Sequence, residues 1–200
     1  MMRSFQQDAQ SCVADAWPLV SIIIDNYNYG RFLKDAIDSA LAQSYVKTEV
    51  IVVDDGSTDD SREIITSYAN RVQPVLKPNG GQASAFNAGF AMSQGDVIFF
   101  LDSDDTLCRT AVESVLPLFK QPQVTKVHWP LWLVDEEGRR IGGTRPGQRL
   151  LEGDLRDRVL QGGPSSCPSA PTSGNAWARW FLDEVLPVPE DVSYYRVCAD

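Results

Sequence analysis

Histidine occurs once in the 200 residues, at His128, and the four cysteines, Cys12, Cys108, Cys167 and Cys198, are scattered with no Cys-x-x-Cys spacing. That scarcity argues against a zinc site and against a disulfide framework. Lysine and arginine form no cluster, and the net charge is −9. An acidic chain of this kind is a poor partner for nucleic acid or an anionic membrane, and it needs a cation to hold a polyphosphate. Residues 1–17 carry Asp8 and Asp15 and have no apolar core, so they are neither a leader nor a membrane span and read as a flexible tail. The chain is expected to be cytoplasmic. Neither the GxxxxGK[ST] phosphate loop nor GxGxxG occurs, which removes the main support for an ATPase or a dinucleotide-dependent dehydrogenase.

What is present is organised around Gly95 to Asp105, GDVIFFLDSDD. Val97 to Leu101 is an apolar run suited to a strand buried on both faces, and it ends in Asp102-Ser103-Asp104-Asp105. In open α/β sheets ligands sit outside the carboxyl ends of the strands, so these acids have a position as well as a composition. Three carboxylates this close repel one another unless a cation such as Mg²⁺ or Mn²⁺ is shared with a diphosphate. The competing reading is a solvated acidic turn that caps the next helix.

With 43% hydrophobic residues, the chain can bury one core and form one domain. Leu19 to Ile24 reads as the first buried strand, Asp25 to Gly30 (DNYNYG) as a polar loop, and Phe32 to Leu41 as a helix. Two tyrosines in that loop suit a flat ligand. Val50 to Val53 is a second strand ending in Asp54-Asp55-Gly56-Ser57, with Ser57 and Asp60 patterned to cap the next helix and leave Asp54 and Asp55 free to accept from a base or a ribose. Val72 to Lys77 is a third strand, followed by Pro78-Asn79-Gly80-Gly81-Gln82, where glycines allow backbone amides to approach a ligand. Three βα units before the central strand imply a parallel sheet with right-handed crossovers.

These stretches, VSIIIDNYNYGRFLKDAIDSALAQSY, EVIVVDDGSTDDS, NGGQASAFNAGF and GDVIFFLDSDD, together resemble the family 2 glycosyltransferases. The resemblance covers residues 18–119 closely and implies the GT-A fold: an α/β, Rossmann-like, mostly parallel sheet flanked by helices, with a small antiparallel acceptor-side portion. It implies 18–119 as the nucleotide-sugar-binding half and 120–200 as the acceptor side of the same domain. It also implies a UDP- or dTDP-sugar donor, Mn²⁺ or Mg²⁺, inversion at the anomeric carbon, and a glycan, lipid-linked or small-molecule acceptor. Carried over by residue, Tyr27 lies along the base, Asp55 accepts the uracil N–H and Asp102 contacts the ribose. Asp104, with Asp102, ligates the metal. Asp54, Lys77, Gly81, Gln82 and Ser103 complete the donor site. One departure is Asp25-Asn26, where family members usually have Pro-Thr or Pro-Ser; it adds a carboxylate, Asp25, near the base.

The remainder is less informative. Ala111 to Phe119 is read as a core helix. Lys126 to Val134 (KVHWPLWLV) reads as one strand broken or bulged at Pro130, carrying His128, Trp129 and Trp132, and Asp135 to Gly138 as a hairpin turn. The tryptophans are either core or an acceptor platform, and His128 is either a core residue or a third metal ligand. Residues 142–176 form a long Gly/Pro/Ser-rich connection, and Ala176 to Leu186 is read as a helix stopped by Pro187. Asp200 stands where the family places its catalytic base; its position as the final residue suggests a truncated chain that binds donor better than it turns over. Two rival readings are a sugar-phosphate nucleotidyltransferase, which usually has a Gly-rich loop with Arg in place of Asp-Asn-Tyr-Asn-Tyr-Gly, and a non-catalytic nucleotide-sugar-binding module.

Overall fold

The computed structural model describes residues 18–190. Its centre is a six-stranded sheet in the order β3-β2-β1-β4-β8-β5. Strands β1 (Val20–Asn26), β2 (Thr48–Asp55), β3 (Gln73–Lys77) and β4 (Val97–Asp102) run parallel. β1, β2 and β4 are β-branched or aromatic through their centres, which suits a pleated surface covered on both sides, whereas β3 (QPVLK) lies at the edge with no residue buried. Helix α1 (Gly30–Leu41) crosses from β1 to β2, α2 (Ser61–Ser67) from β2 to β3, and α3 (Gln82–Met92) from β3 to β4.

The period-two alternation of the strands sorts two cores. Val20, Ile22, Ile24, Val50, Val52, Val97, Phe99 and Leu101 face α1 and the short helix α4 (Ala111–Val115). Ile23, Ile51, Val53, Ile98 and Phe100 face α3 and α6 (Arg179–Val185). Close approach of α3 depends on Gly89, where an added Cβ would lie 2.3 Å from a methyl of Ile23. Without that glycine the helix would stand off the sheet.

The structure corrects several expectations. β1 runs on through Asp25 and Asn26, so only Tyr27 to Tyr29 form the loop. The expected core helix is α4 followed by a 3₁₀ turn at Leu116–Lys120, because Pro117 cannot donate in a continuing α-helix. Pro130 does more than bulge one strand. It divides β5 (Lys126–His128), which joins the main sheet, from β6 (Leu131–Val134), which pairs with β7 (Arg140–Arg145) in a separate hairpin. The 142–176 connection carries one helix, α5 (Arg156–Gly162), none of whose residues is buried.

The helix expected from Ala176 begins with a strand instead. β8 (Asn175–Ala178) lies antiparallel between β4 and β5, and α6 starts only at Arg179. Trp129 N donates to Gly174 O at 2.9 Å, beside the His128–Asn175 pairing, so the excursion from 129 to 174 leaves and re-enters the sheet at one place.

Candidate donor and metal site

Parallel register aligns the strand ends. Asp25 of β1 sits beside Asp102 of β4, and Asn26 beside Asp54 of β2. The carboxyl ends of four adjacent strands therefore form one rim, the position at which open α/β sheets bind ligands.

Asp25 and Asp102 are joined by an amide. Gln82 Nε2 donates to Asp25 Oδ2 at 3.1 Å and to Asp102 Oδ1 at 3.0 Å. Asp25 Oδ1 is buried with no partner among the described residues. Burial, and then the charge of Asp102, push the Asp25 carboxyl up to about 7. Burial, followed by Asp105 and Asp104, pushes Asp102 up to about 6. Asp105 is also raised, chiefly by burial. Asp104 is exposed at the end of the turn, and Ser103 between the two acids is buried. Full ionisation of these carboxyls would leave the rim with an excess of negative charge that, among the described residues, hydrogen bonds but no ion pair offset.

That charge excess, together with the orphaned Asp25 oxygen, fits a hard divalent cation held through carboxylate oxygens. Among the described residues no group of three or more His, Cys, Asp or Glu converges as a ligand set. Asp102 and Asp104 therefore fit a cation whose remaining ligands come from water or a polyphosphate. His128 is not part of this set. Its Nε2 lies 3.0 Å from Leu151 O, and its buried Nδ1 has no partner among the described residues.

The rest of the predicted site divides into groups that face out and groups that brace. Tyr27 and Tyr29 are 48% and 44% exposed. Their loop is pinned through Asn28, whose N donates to Ser57 Oγ at 2.9 Å and whose Oδ1 accepts from Thr58 N at 2.7 Å. The expected Ser57 cap is thereby overturned: its hydroxyl accepts from Asn28 N and Asn26 Nδ2, and Asp59 caps Ser61 N instead. Asp54 is fully buried, and its oxygens accept from Ser57 N, Asn26 and Arg62 Nε. Burial alone would raise its pKa, but these bonds outweigh burial and hold the carboxyl below the usual value.

Asp55 is also nearly enclosed. Its carboxylate accepts from Lys77 Nζ, Gly80 N and Gly81 N, which folds the Pro78–Gly81 loop back against the end of β2. Gly81 takes φ +84°, a conformation few other residues adopt, so the loop presents backbone at the rim beside the amino end of α3. Three bracing residues escaped the sequence reading. Arg62 pairs with Asp54, Asp59 holds Gly30 N at 2.9 Å, and Ser173 Oγ accepts from Asp102 N at 3.0 Å. Arg62 and Asp59 carry no local signal, and Ser173 is one of several serines in the Gly/Pro/Ser-rich connection. Asp200, the expected base, lies outside the described residues.

The sequence pattern of glycosyl transferase family 2 matches residues 21–167. The chain belongs to this family. A family relative, an uncharacterised glycosyltransferase of Nostoc sp., is 39% identical over 186 residues, covering 90% of this chain and 56% of the relative. The chondroitin synthase of Pasteurella multocida is 48% identical over 105 residues, covering 51% of this chain and 11% of that protein. The chain thus spans about half the length of the first of these relatives.

Solved structures agree on the fold. S. aureus TarS 1-349 in complex with UDP superposes with a TM-score of 0.62 at 22% identity, over 86% of this chain and 50% of that one. The mannosyltransferase PcManGT of Pyrobaculum calidifontis, in complex with GDP-Man and Mn²⁺, gives 0.62 at 22% identity, over 88% and 48%. Among the described residues no helix is long and apolar enough to cross a membrane.

Proposed function

We propose that this family 2 domain transfers a sugar, with inversion, from a UDP- or dTDP-linked donor to an acceptor hydroxyl, assisted by Mn²⁺ or Mg²⁺. The carrying observation is the gathering of Asp25, Asp102 and Asp104 at one strand-end rim, where Gln82 bridges the first two and one buried Asp25 oxygen has no partner among the described residues. A bound divalent cation supplies charge neutralisation on the diphosphate leaving group. Asp102 and Asp104 hold it. The exposed ring of Tyr27 stacks on the nucleobase, while Asp55, Lys77 and the Gly80–Gly81 amides shape the base and ribose edge. Gln82 fixes the orientation of Asp102. Asp54 acts at one remove, by holding the loop that carries Tyr27. Inversion needs a single carboxylate within reach of the acceptor hydroxyl, on the face opposite the leaving nucleotide. Asp200 is assigned that role.

The neighbour that binds UDP and the neighbour that binds GDP-Man make the nucleotide the first thing to test. UDP, dTDP and GDP are titrated calorimetrically with Mn²⁺ and again with EDTA. The proposal expects UDP or dTDP to bind only with metal. GDP alone binding would move the donor class, and no metal-dependent binding would overturn the reading. Asp200→Asn is expected to keep donor affinity while lowering transfer; equal loss of both would make Asp200 structural.

A further inference from the structure

We propose that the groove running from Asp104 to the β6–β7 hairpin receives the acceptor, and that its shape and chemistry select a neutral glycan over anionic or wholly apolar acceptors. The inference rests on the donor reading above, because only that reading makes Asp104 a neighbour of the transferred sugar.

The groove has a volume of about 760 Å³, within the range of sites that enclose organic ligands. One end is Asp104 and Asp105, and the other is the hairpin at Trp132, Asp135 and Glu136. Aromatic rings stand on both walls: Tyr29 and Phe32 from the α1 side, Trp129 and Trp132 from the strand side. Trp129 is fixed by Phe99, with ring centroids 5.6 Å apart, while Trp132 remains 49% exposed. Flat rings of this kind pack on the C–H face of a pyranose, which also offers hydroxyls at its edge.

The polar groups decide the charge class. Among the described residues, Asp35, Asp105 and Glu136 line the groove beside Asp104, which the donor reading gives to the cation, and Asp135, which Arg139 pairs; Arg31 is the one Lys or Arg in the lining. Arg31 lies over the Phe32 ring at 4.2 Å from its centroid. At the far end Arg139 is committed to Asp135 at 2.8 Å, and Arg140 is stacked over Trp132. Ionised carboxylates only accept hydrogen bonds, so they need a ligand rich in donors. Sugar hydroxyls provide those donors. A phosphate or uronate would meet like charge on several sides, within a chain whose net charge is −9. A purely apolar chain would bury the carboxylates without partners.

The test is calorimetric titration of the full chain with maltotetraose, cellotetraose and chitotetraose, and with tetragalacturonate at matched ionic strength. At least one neutral tetrasaccharide is expected to bind at least tenfold more tightly than tetragalacturonate. Trp132→Ala is expected to weaken that binding about tenfold and Trp132→Phe less than threefold, with nucleotide affinity of both variants unchanged. Three results overturn the proposal: no neutral tetrasaccharide binds, tetragalacturonate binds as well, or Trp132→Ala has no effect. Dimerisation that Trp132→Ala abolishes would also overturn it, by making a second copy the occupant. Nucleotide titration of the same samples separates the two readings. Nucleotide binding without saccharide binding sinks the acceptor inference alone, and absent nucleotide binding sinks the donor reading.

Discussion

Strand β2 buries six consecutive residues, Val50 to Asp55, whereas β7 buries none of its six. β2 ends at the proposed donor rim, whereas β7 backs β6, which lines the groove. β2 is gripped by a core on each face and ends in carboxylates with buried partners, so its terminal side chains are held in place by packing. The hairpin is held mainly by its own ladder and by the anchor beside Trp129. The proposed donor site is thus built where geometry is over-determined, and the candidate acceptor wall where it is loosely specified. A metal-bound diphosphate demands fixed oxygens; a sugar lying on a ring tolerates adjustment.

Substitutions can break or sharpen that contrast. The largest effect is expected from Ile23→Ala, in a fully buried residue of the central strand, which should cost about 2–5 kcal/mol of unfolding free energy in urea titrations. Loss below 1 kcal/mol would mean that the core beneath α3 is slack. Next, Asp104→Ala should leave stability intact while weakening Mn²⁺-dependent nucleotide binding roughly 100-fold, about 2.7 kcal/mol. Unchanged affinity would remove Asp104 from the metal site.

Arg62→Ala should cost about 1 kcal/mol at pH 7, since its guanidinium is half exposed and its partner Asp54 is buried. The sign follows from the lowered Asp54 pKa: the stabilisation is present above the unfolded value of 3.8 and is lost as pH falls through the lower folded value. Denaturation curves of wild type and variant should therefore converge as the pH drops from 5 toward 2. A gap that persists at pH 2 would assign Arg62 a packing role. The smallest effect is expected at Ile141→Ala, on the 64% exposed hairpin residue, within about 0.5 kcal/mol. A larger loss would show that the hairpin packs on something and is not the pliant wall described.

The parallel half was legible because Ile22 to Ile24, Val50 to Val53 and Val97 to Leu101 are uninterrupted apolar runs, and because Asp102 and Asp104 follow the last of them closely. Strand ends were less so. Asp25 and Asn26 look like loop residues, yet backbone pairing with β2, and for Asp25 with β4 as well, draws them into β1. β8 was hidden for the same reason: Asn175-Ala176-Trp177-Ala178 has little β propensity, and pairing with β4 and β5 overrides it. Ser57 carried the pattern of a cap, but tertiary bonds to Asn26 and Asn28 won. The Gln82 bridge between Asp25 and Asp102 spans 57 and 20 residues, beyond any local pattern.

The closure at Trp129 and Gly174 has an evolutionary side. A segment whose two ends meet on neighbouring residues can grow, shrink or be exchanged at an entropic cost that rises only with the logarithm of its length. Residues 130 to 173 are attached in this way, with Ser173 as the stitch that touches Asp102. Descendants of such a domain can therefore acquire a new clientele by splicing one cassette, while inheriting unaltered the rim proposed to hold the nucleotide.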